Sequence, residues 1–95
     1  MVHVRYEKEF VLSLEKKLRY IALDNPKASK SFQKEILQRC EALKEMPFRC
    51  RKSLYHDDEN IRDLVYKGYT IVYAIEEKFI SVLALINQES YLPKT

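Results

Sequence analysis

The residues with the clearest chemical potential lie in one stretch. Lys44, Arg49, Arg51 and Lys52 surround Met46-Pro47-Phe48, and His56-Asp57-Asp58-Glu59 follows at once. Guanidinium and ammonium groups at this density can neutralise an anion, and a histidine, whose ordinary pKa lies near neutrality, can move a proton. The same stretch also reads as a solvated loop carrying both signs of charge, and His56 beside three carboxylates reads first as a solvent-facing histidine. Other chemistry has less support. His3, Cys40, Cys50 and His56 include no close ligand pair of the kind structural zinc sites use, so no metal is expected. Gly68 is the only glycine, which excludes a phosphate-cradling glycine loop. Ser13, Ser29, Ser31 and Ser53 sit in no nucleophile motif. Neither a cofactor nor a small-molecule ligand is expected.

The 95 residues, 46% hydrophobic and 33% charged, suit one small globular domain over residues 1–95. A formal charge of +3 permits a polyanionic partner without demanding one. There is no apolar run of signal-peptide or membrane-spanning length, so a cytoplasmic protein with no membrane partner is expected, with Cys40 and Cys50 as free thiols.

The elements that must position the basic stretch follow from periodicity and punctuation. Val2, Val4 and Tyr6 alternate with His3 and Arg5, predicting a strand over 2–6. Phe10, Val11, Leu14, Leu18 and Ile21 recur at helical spacing, predicting a helix over 7–23 that stops before Pro26. Asn25 is suited to cap a second helix over 26–46, with Pro26 as its first residue and Phe32, Ile36, Cys40 and Leu43 on one face. Strands are predicted over 60–66, 69–76 and 79–86, with a tail over 87–95. The fold class is therefore α+β: an N-terminal strand, an antiparallel two-helix hairpin, and a three-stranded antiparallel meander in one sheet with the helices on one face.

Lys67-Gly68 predicts a two-residue hairpin turn, which pairs Tyr66 with Tyr69, Leu64 with Ile71 and Arg62 with Tyr73. A second turn at Glu77-Lys78 predicts Ile75 opposite Ile80, Tyr73 opposite Val82 and Ile71 opposite Ala84. One face then gathers Leu64, Tyr66, Tyr69, Ile71, Tyr73, Ile75, Ile80, Val82 and Ile86 and is expected to hold the helices. The other carries Ile61, Asp63, Val65, Thr70, Val72, Ala74, Ser81, Leu83 and Leu85. Too apolar for plain exposure, it reads either as a face covered by another chain or as one covered by the tail. On the first reading, Val72→Asp would leave the fold intact and weaken partner binding.

Taken in order, Tyr20-Ile21, Asn25-Pro26, Leu43, Met46-Pro47, Arg51-Lys52-Ser53, Ile61-Arg62-Asp63-Leu64, Tyr69-Thr70-Ile71-Val72-Tyr73 and Ile80-Ser81-Val82-Leu83 resemble the RelE/ParE superfamily of toxins from bacterial type II toxin–antitoxin modules. The resemblance spans nearly the whole chain. It implies a small toxin neutralised by a cognate antitoxin, for which Val65, Thr70, Val72, Leu83 and Leu85 are the binding candidates. It also implies one of two activities: poisoning of DNA gyrase, as in ParE-like members, or metal-independent cleavage of mRNA on the ribosome, as in RelE-like members.

The ribonuclease reading would draw on Arg51, Lys52, Lys67, Tyr91 and His56, since such a reaction needs positive charge and a proton-transfer group at one phosphate. Against it, the resemblance sets Thr70 where an arginine would follow the first tyrosine of the strand, and Asn87-Gln88-Glu89 where basic residues would follow the last strand. A gyrase poison is therefore favoured, with Arg49, Arg51, Lys52, Gln88 and Tyr91 as target-binding candidates. The residues after the last strand also depart from the ParE-like pattern of His and Arg. A homologue without toxicity, keeping antitoxin binding and operon co-repression, stays open as a third reading.

Overall fold

The computed structural model describes residues 2–87. In chain order the elements are β1 (His3–Tyr6), α1 (Lys8–Asp24), α2 (Pro26–Ala42), a 3₁₀ turn (Pro47–Arg49), β2 (Arg51–Lys52), β3 (Ile61–Tyr66), β4 (Tyr69–Ile75) and β5 (Phe79–Asn87). The strands form one sheet in the order β1-β5-β4-β3-β2. All neighbours are antiparallel except β1, which lies parallel to β5. The class is α+β, with a mixed sheet of five strands in place of the four predicted.

The helical hairpin is short-looped because Asn25 serves both helices. Its backbone amide closes α1 on the carbonyl of Ile21 at 2.9 Å, and its side-chain oxygen accepts the Ala28 amide of α2 at 3.1 Å. Pro26 then occupies the first turn, where a missing N–H costs nothing. The Ser29 hydroxyl donates to the Leu18 carbonyl across the hairpin at 2.8 Å. Phe10 and Leu14 of α1 and Ile36 and Cys40 of α2 bury against Tyr66, Ile71 and Val82 of the sheet. Burial there pushes the Cys40 thiol up to about 12, since a thiolate would lose its hydration. A second cluster joins Leu43, Tyr73 and Ile80.

The end of α2 differs from expectation. Regular helix stops at Ala42 rather than 46, and the amides of Leu43, Lys44 and Glu45 each bond three residues back. Tightening of the last turn brings Leu43 into the core, while Pro47 keeps Met46 out of the helical region and forbids continuation. Strand β2 was not foreseen, because two charged residues show no apolar alternation.

The β3–β4 register is the predicted one throughout. Lys67 and Gly68 both have positive φ, 47° and 81°, the backbone of a type I′ turn whose twist suits a hairpin. The β4–β5 register holds from Ile75 opposite Ile80 to Tyr73 opposite Val82, then shifts by one residue, so that Val72 faces Ala84 and Ile71 faces Leu85. Leu83 is the extra residue of this β-bulge. The shift turns Leu85 onto the helix face, where it packs with the main cluster, and sets Ile86 opposite Thr70 on the other face. An unbulged strand would put Ala84 opposite Ile71, with far less apolar surface to bury.

Asn25→Ala removes the shared cap. The expected loss is about 1 kcal/mol of folding stability, read from the midpoint of urea unfolding with the slope unchanged.

Candidate functional site

Buried groups beneath the basic stretch hold it in place. Tyr73, wholly buried, donates its hydroxyl to the Pro47 carbonyl at 2.6 Å. Arg62 donates to the carbonyls of Glu59 at 2.8 Å and Cys50 at 3.1 Å, with its guanidinium 4.9 Å from the Phe48 ring centroid. These contacts tie Pro47–Cys50 to β3 and carry Arg49 and Arg51 to the sheet edge. Neither Tyr73 nor Arg62 was singled out as a positioning residue by type or spacing.

Arg51 stands opposite Asp63 across the β2–β3 pair. The Asp63 carboxylate is fully buried and accepts the Leu54 amide at 3.0 Å, with the Arg51 guanidinium 3.5 Å from the same oxygen. Its other oxygen has no hydrogen-bond partner among the described residues. Arg51 is thus partly committed to a structural carboxylate. Lys52 points the other way and makes an exposed ion pair with Asp57 at 3.4 Å, of little energetic weight. Lys52, His56 and Asp57 line a shallow depression of their own.

Arg49 and Arg51 share a groove of about 540 Å³ with Arg39, Met46, Leu64 and Val65. It runs along the sheet edge from the last turn of α2. Arg39 was missed. Its place directly before buried Cys40 and three after buried Ile36, at the margin of the apolar stripe, is the signal that could have found it.

Lys67 lies elsewhere. It is four residues beyond Asp63, roughly 13 Å along β3 at the usual strand rise. Its ammonium sits 3.4 Å from Glu35 and 5.4 Å from the Tyr66 ring centroid. Tyr66 donates its hydroxyl to the same Glu35 carboxylate. That bond, and then Lys67, hold the Glu35 carboxyl below its ordinary range. The contacts with Tyr66 and then Glu35 raise the Lys67 pKa. Gln88 and Tyr91 lie outside the described residues.

The face opposite the helices, read as covered either by another chain or by the tail, is largely closed. Asp63, Thr70, Val72 and Ser81 are buried, and the Thr70 hydroxyl has no hydrogen-bond partner among the described residues. Of the antitoxin-binding candidates, Val65 is 45% exposed and Leu83 is half-buried at the bulge. Thr70 and Val72 are inaccessible, and Leu85 belongs to the helix face. Val72 therefore behaves as a core residue, and the expectation that Val72→Asp spares the fold is corrected.

The fold is similar to that of a solved structure described as the chromosomal ParDE TA system from P. aeruginosa. That chain is 15% identical, the match covers 92% of this chain and 96% of that one, and the TM-score is 0.76. Likeness at this identity establishes the fold. No curated protein matches the sequence. Residues 4–90, however, match the family described as the ParE toxin of the type II toxin-antitoxin system, parDE. The chain belongs to that toxin family, and an antitoxin partner goes with membership. Among the described residues, no helix is long and apolar enough to cross a membrane.

Two outcomes test this geometry. Val72→Asp places a second carboxylate beside Asp63 in a buried layer and is expected to abolish cooperative unfolding at 25 °C, as followed by circular dichroism. Arg51→Ala is expected to cost roughly 1 kcal/mol in urea unfolding by depriving Asp63 of its cation, while Arg49→Ala stays within about 0.5 kcal/mol of the parent.

Proposed function

We propose that this chain is the growth-inhibiting toxin of its module, acting in the bacterial cytoplasm on DNA gyrase through a protein–protein contact and held inactive by a cognate antitoxin. One observation carries the choice of target. Metal-free phosphodiester cleavage needs several cations and a proton-transfer residue at one phosphate, and here the candidates are dispersed. Lys67 is held by Glu35 and Tyr66 at one end of β3, and Arg51 faces Asp63 near the other. Thr70 brings a buried hydroxyl, not a cation, to the face between them. Family membership supports the same direction. On this reading Arg49, whose side chain makes no ion pair or hydrogen bond among the described residues, and Lys52, on an exposed strand, meet the target, whereas Arg51 mainly serves the fold.

The second reading, ribosome-dependent mRNA cleavage, draws on one observation: Lys52 and His56 line the same shallow depression, pairing a cation with an imidazole able to transfer a proton. A non-toxic homologue is the third, and absence of growth arrest on expression would favour it.

Purified protein added to gyrase in a supercoiling and cleavage assay is expected to block supercoiling and accumulate gyrase–DNA cleavage complexes. Arg49→Ala with Lys52→Ala should weaken this at least about tenfold, the effect of losing one charge-assisted contact, with the unfolding midpoint unchanged. Codon-positioned cuts in a primer-extension assay on translating ribosomes, with no gyrase effect, would overturn the proposal.

A further inference from the structure

Along α1, Ser13, Lys16, Lys17 and Tyr20 stand at helical spacing and form one stripe beside the core residues Phe10, Leu14 and Leu18. The sheet supplies the opposite wall. The bulge at Leu83 turns Leu85 onto the helix face, and two residues further on it sets Asn87 opposite Tyr69. The Tyr69 ring is braced by Phe32 of α2, with centroids 5.1 Å apart. Stripe and strands bound a cleft of about 590 Å³, within the range of about 300–1,000 Å³ usual for small-molecule sites. Sequence spacing did not disclose it, because its two walls come from distant parts of the chain.

The charge of this cleft is unbalanced. Lys17 is half-buried, and its ammonium lies 5.1 Å from the Tyr20 ring centroid and 5.4 Å from that of Tyr69. Ring faces hold a cation in place without using up its N–H donors. Neither Lys16 nor Lys17 has an ion pair or hydrogen bond among the described residues, and among them no carboxylate lines the cleft. The depression at Lys52 and the groove at Arg49 differ in this respect, since Asp57 lines the first and Glu45 and Asp63 line the second. Two adjacent ammonium groups and the Ser13 hydroxyl make a seat for an anion carrying more than one charge. Beside it Tyr20, largely exposed, adds a flat aromatic platform, and Leu85 adds apolar surface.

We infer that this cleft binds a free nucleoside di- or triphosphate. The phosphates meet Lys16, Lys17 and the Ser13 hydroxyl, and the base stacks on Tyr20, as bases do on exposed aromatic side chains. Asn87 lines the same cleft, and its amide suits the hydroxyls of a sugar. A bare inorganic anion would use the lysines and leave Tyr20 and Leu85 without a partner. A nucleic-acid strand fits less well. Glu9 and Asp24, both exposed, lie one turn beyond Ser13 and Tyr20 on the same stripe, so a polyanion continued along α1 in either direction meets a carboxylate. The inference is independent of the target proposed above, because Arg49 and Lys52 belong to the β2 edge, two strands away from β4. Loss of either reading leaves the other standing.

The test is isothermal titration calorimetry with the full chain and ATP, for which submillimolar binding is expected. Lys16→Ala and Lys17→Ala should each weaken it about tenfold, as losing a charge-assisted contact does. Tyr20→Ala should cost a similar factor through lost stacking, while Tyr20→Phe, which keeps the ring, should bind like the parent. Inorganic triphosphate should bind at least about tenfold more weakly than ATP, for the same reason. Lys16 is exposed, so its variant should unfold in urea at the parent midpoint, and Arg49→Ala should leave ATP binding unchanged. No binding of ATP, equal affinity for inorganic triphosphate, or insensitivity to both lysine variants would overturn the inference. Tighter binding of an oligothymidylate than of ATP at the same lysines would do so too.

Discussion

Lys67 and Gly68 adopt left-handed backbone angles in succession, and that turn constrains most of what surrounds it. A type I′ turn admits only one pairing of the strands it joins. The pairing sends Tyr66, Ile71 and Tyr73 toward the helices. It also sends Asp63, Thr70 and Val72 to the opposite face, and aims the main chain of Ile61, Asp63 and Val65 at the β2 edge. A slip of one residue would exchange the faces and take the hydroxyl of Tyr73 away from Pro47. The basic stretch would then lose its anchor. The site is thus a consequence of register before it is a matter of charge.

Charge is distributed unevenly over this frame. Arg62 spends its donors on the carbonyls of Cys50 and Glu59, Arg51 approaches Asp63, and Lys67 sits between Glu35 and Tyr66. Each of these cations secures a loop, a buried carboxylate or a turn. Among the described residues the Arg49 side chain has no such duty, and Arg39 stacks on Tyr66 within electrostatic reach of Glu35. A basic residue that stabilises the fold is poorly placed to neutralise a ligand as well, because its donors already have acceptors. Counting lysines and arginines therefore overstates the charge available to a target.

The limits of legibility follow from where local signals end. Asn25-Pro26 and Lys67-Gly68 are punctuated by residues with strong backbone preferences, so the hairpin cap and the β3–β4 register could be read directly. Leu83-Ala84-Leu85-Ile86 offers no alternation, and the bulge there is decided by which side chain fills the space over Ile71. Packing, not propensity, makes that choice. Arg51-Lys52 forms a strand because Asp63 and Arg62 stand opposite with main-chain groups to satisfy, a reason invisible to hydrophobic periodicity. Thr70 and Val72 were placed on the correct face, but coverage by another chain and coverage by the tail were left open, since composition alone does not say what covers a face of mixed polarity.

The brevity of β2 links these points to function. Had Arg49 extended the strand, it would have paired with Val65 and closed the edge, and its side chain would have joined the sheet. Pro47, which cannot donate and which keeps Met46 out of the helical region, makes the chain turn first. Natural sheets blunt their edges with short strands and positive side chains to avoid promiscuous pairing. Here both devices are present, yet one residue pair is left open in the middle of the arginines.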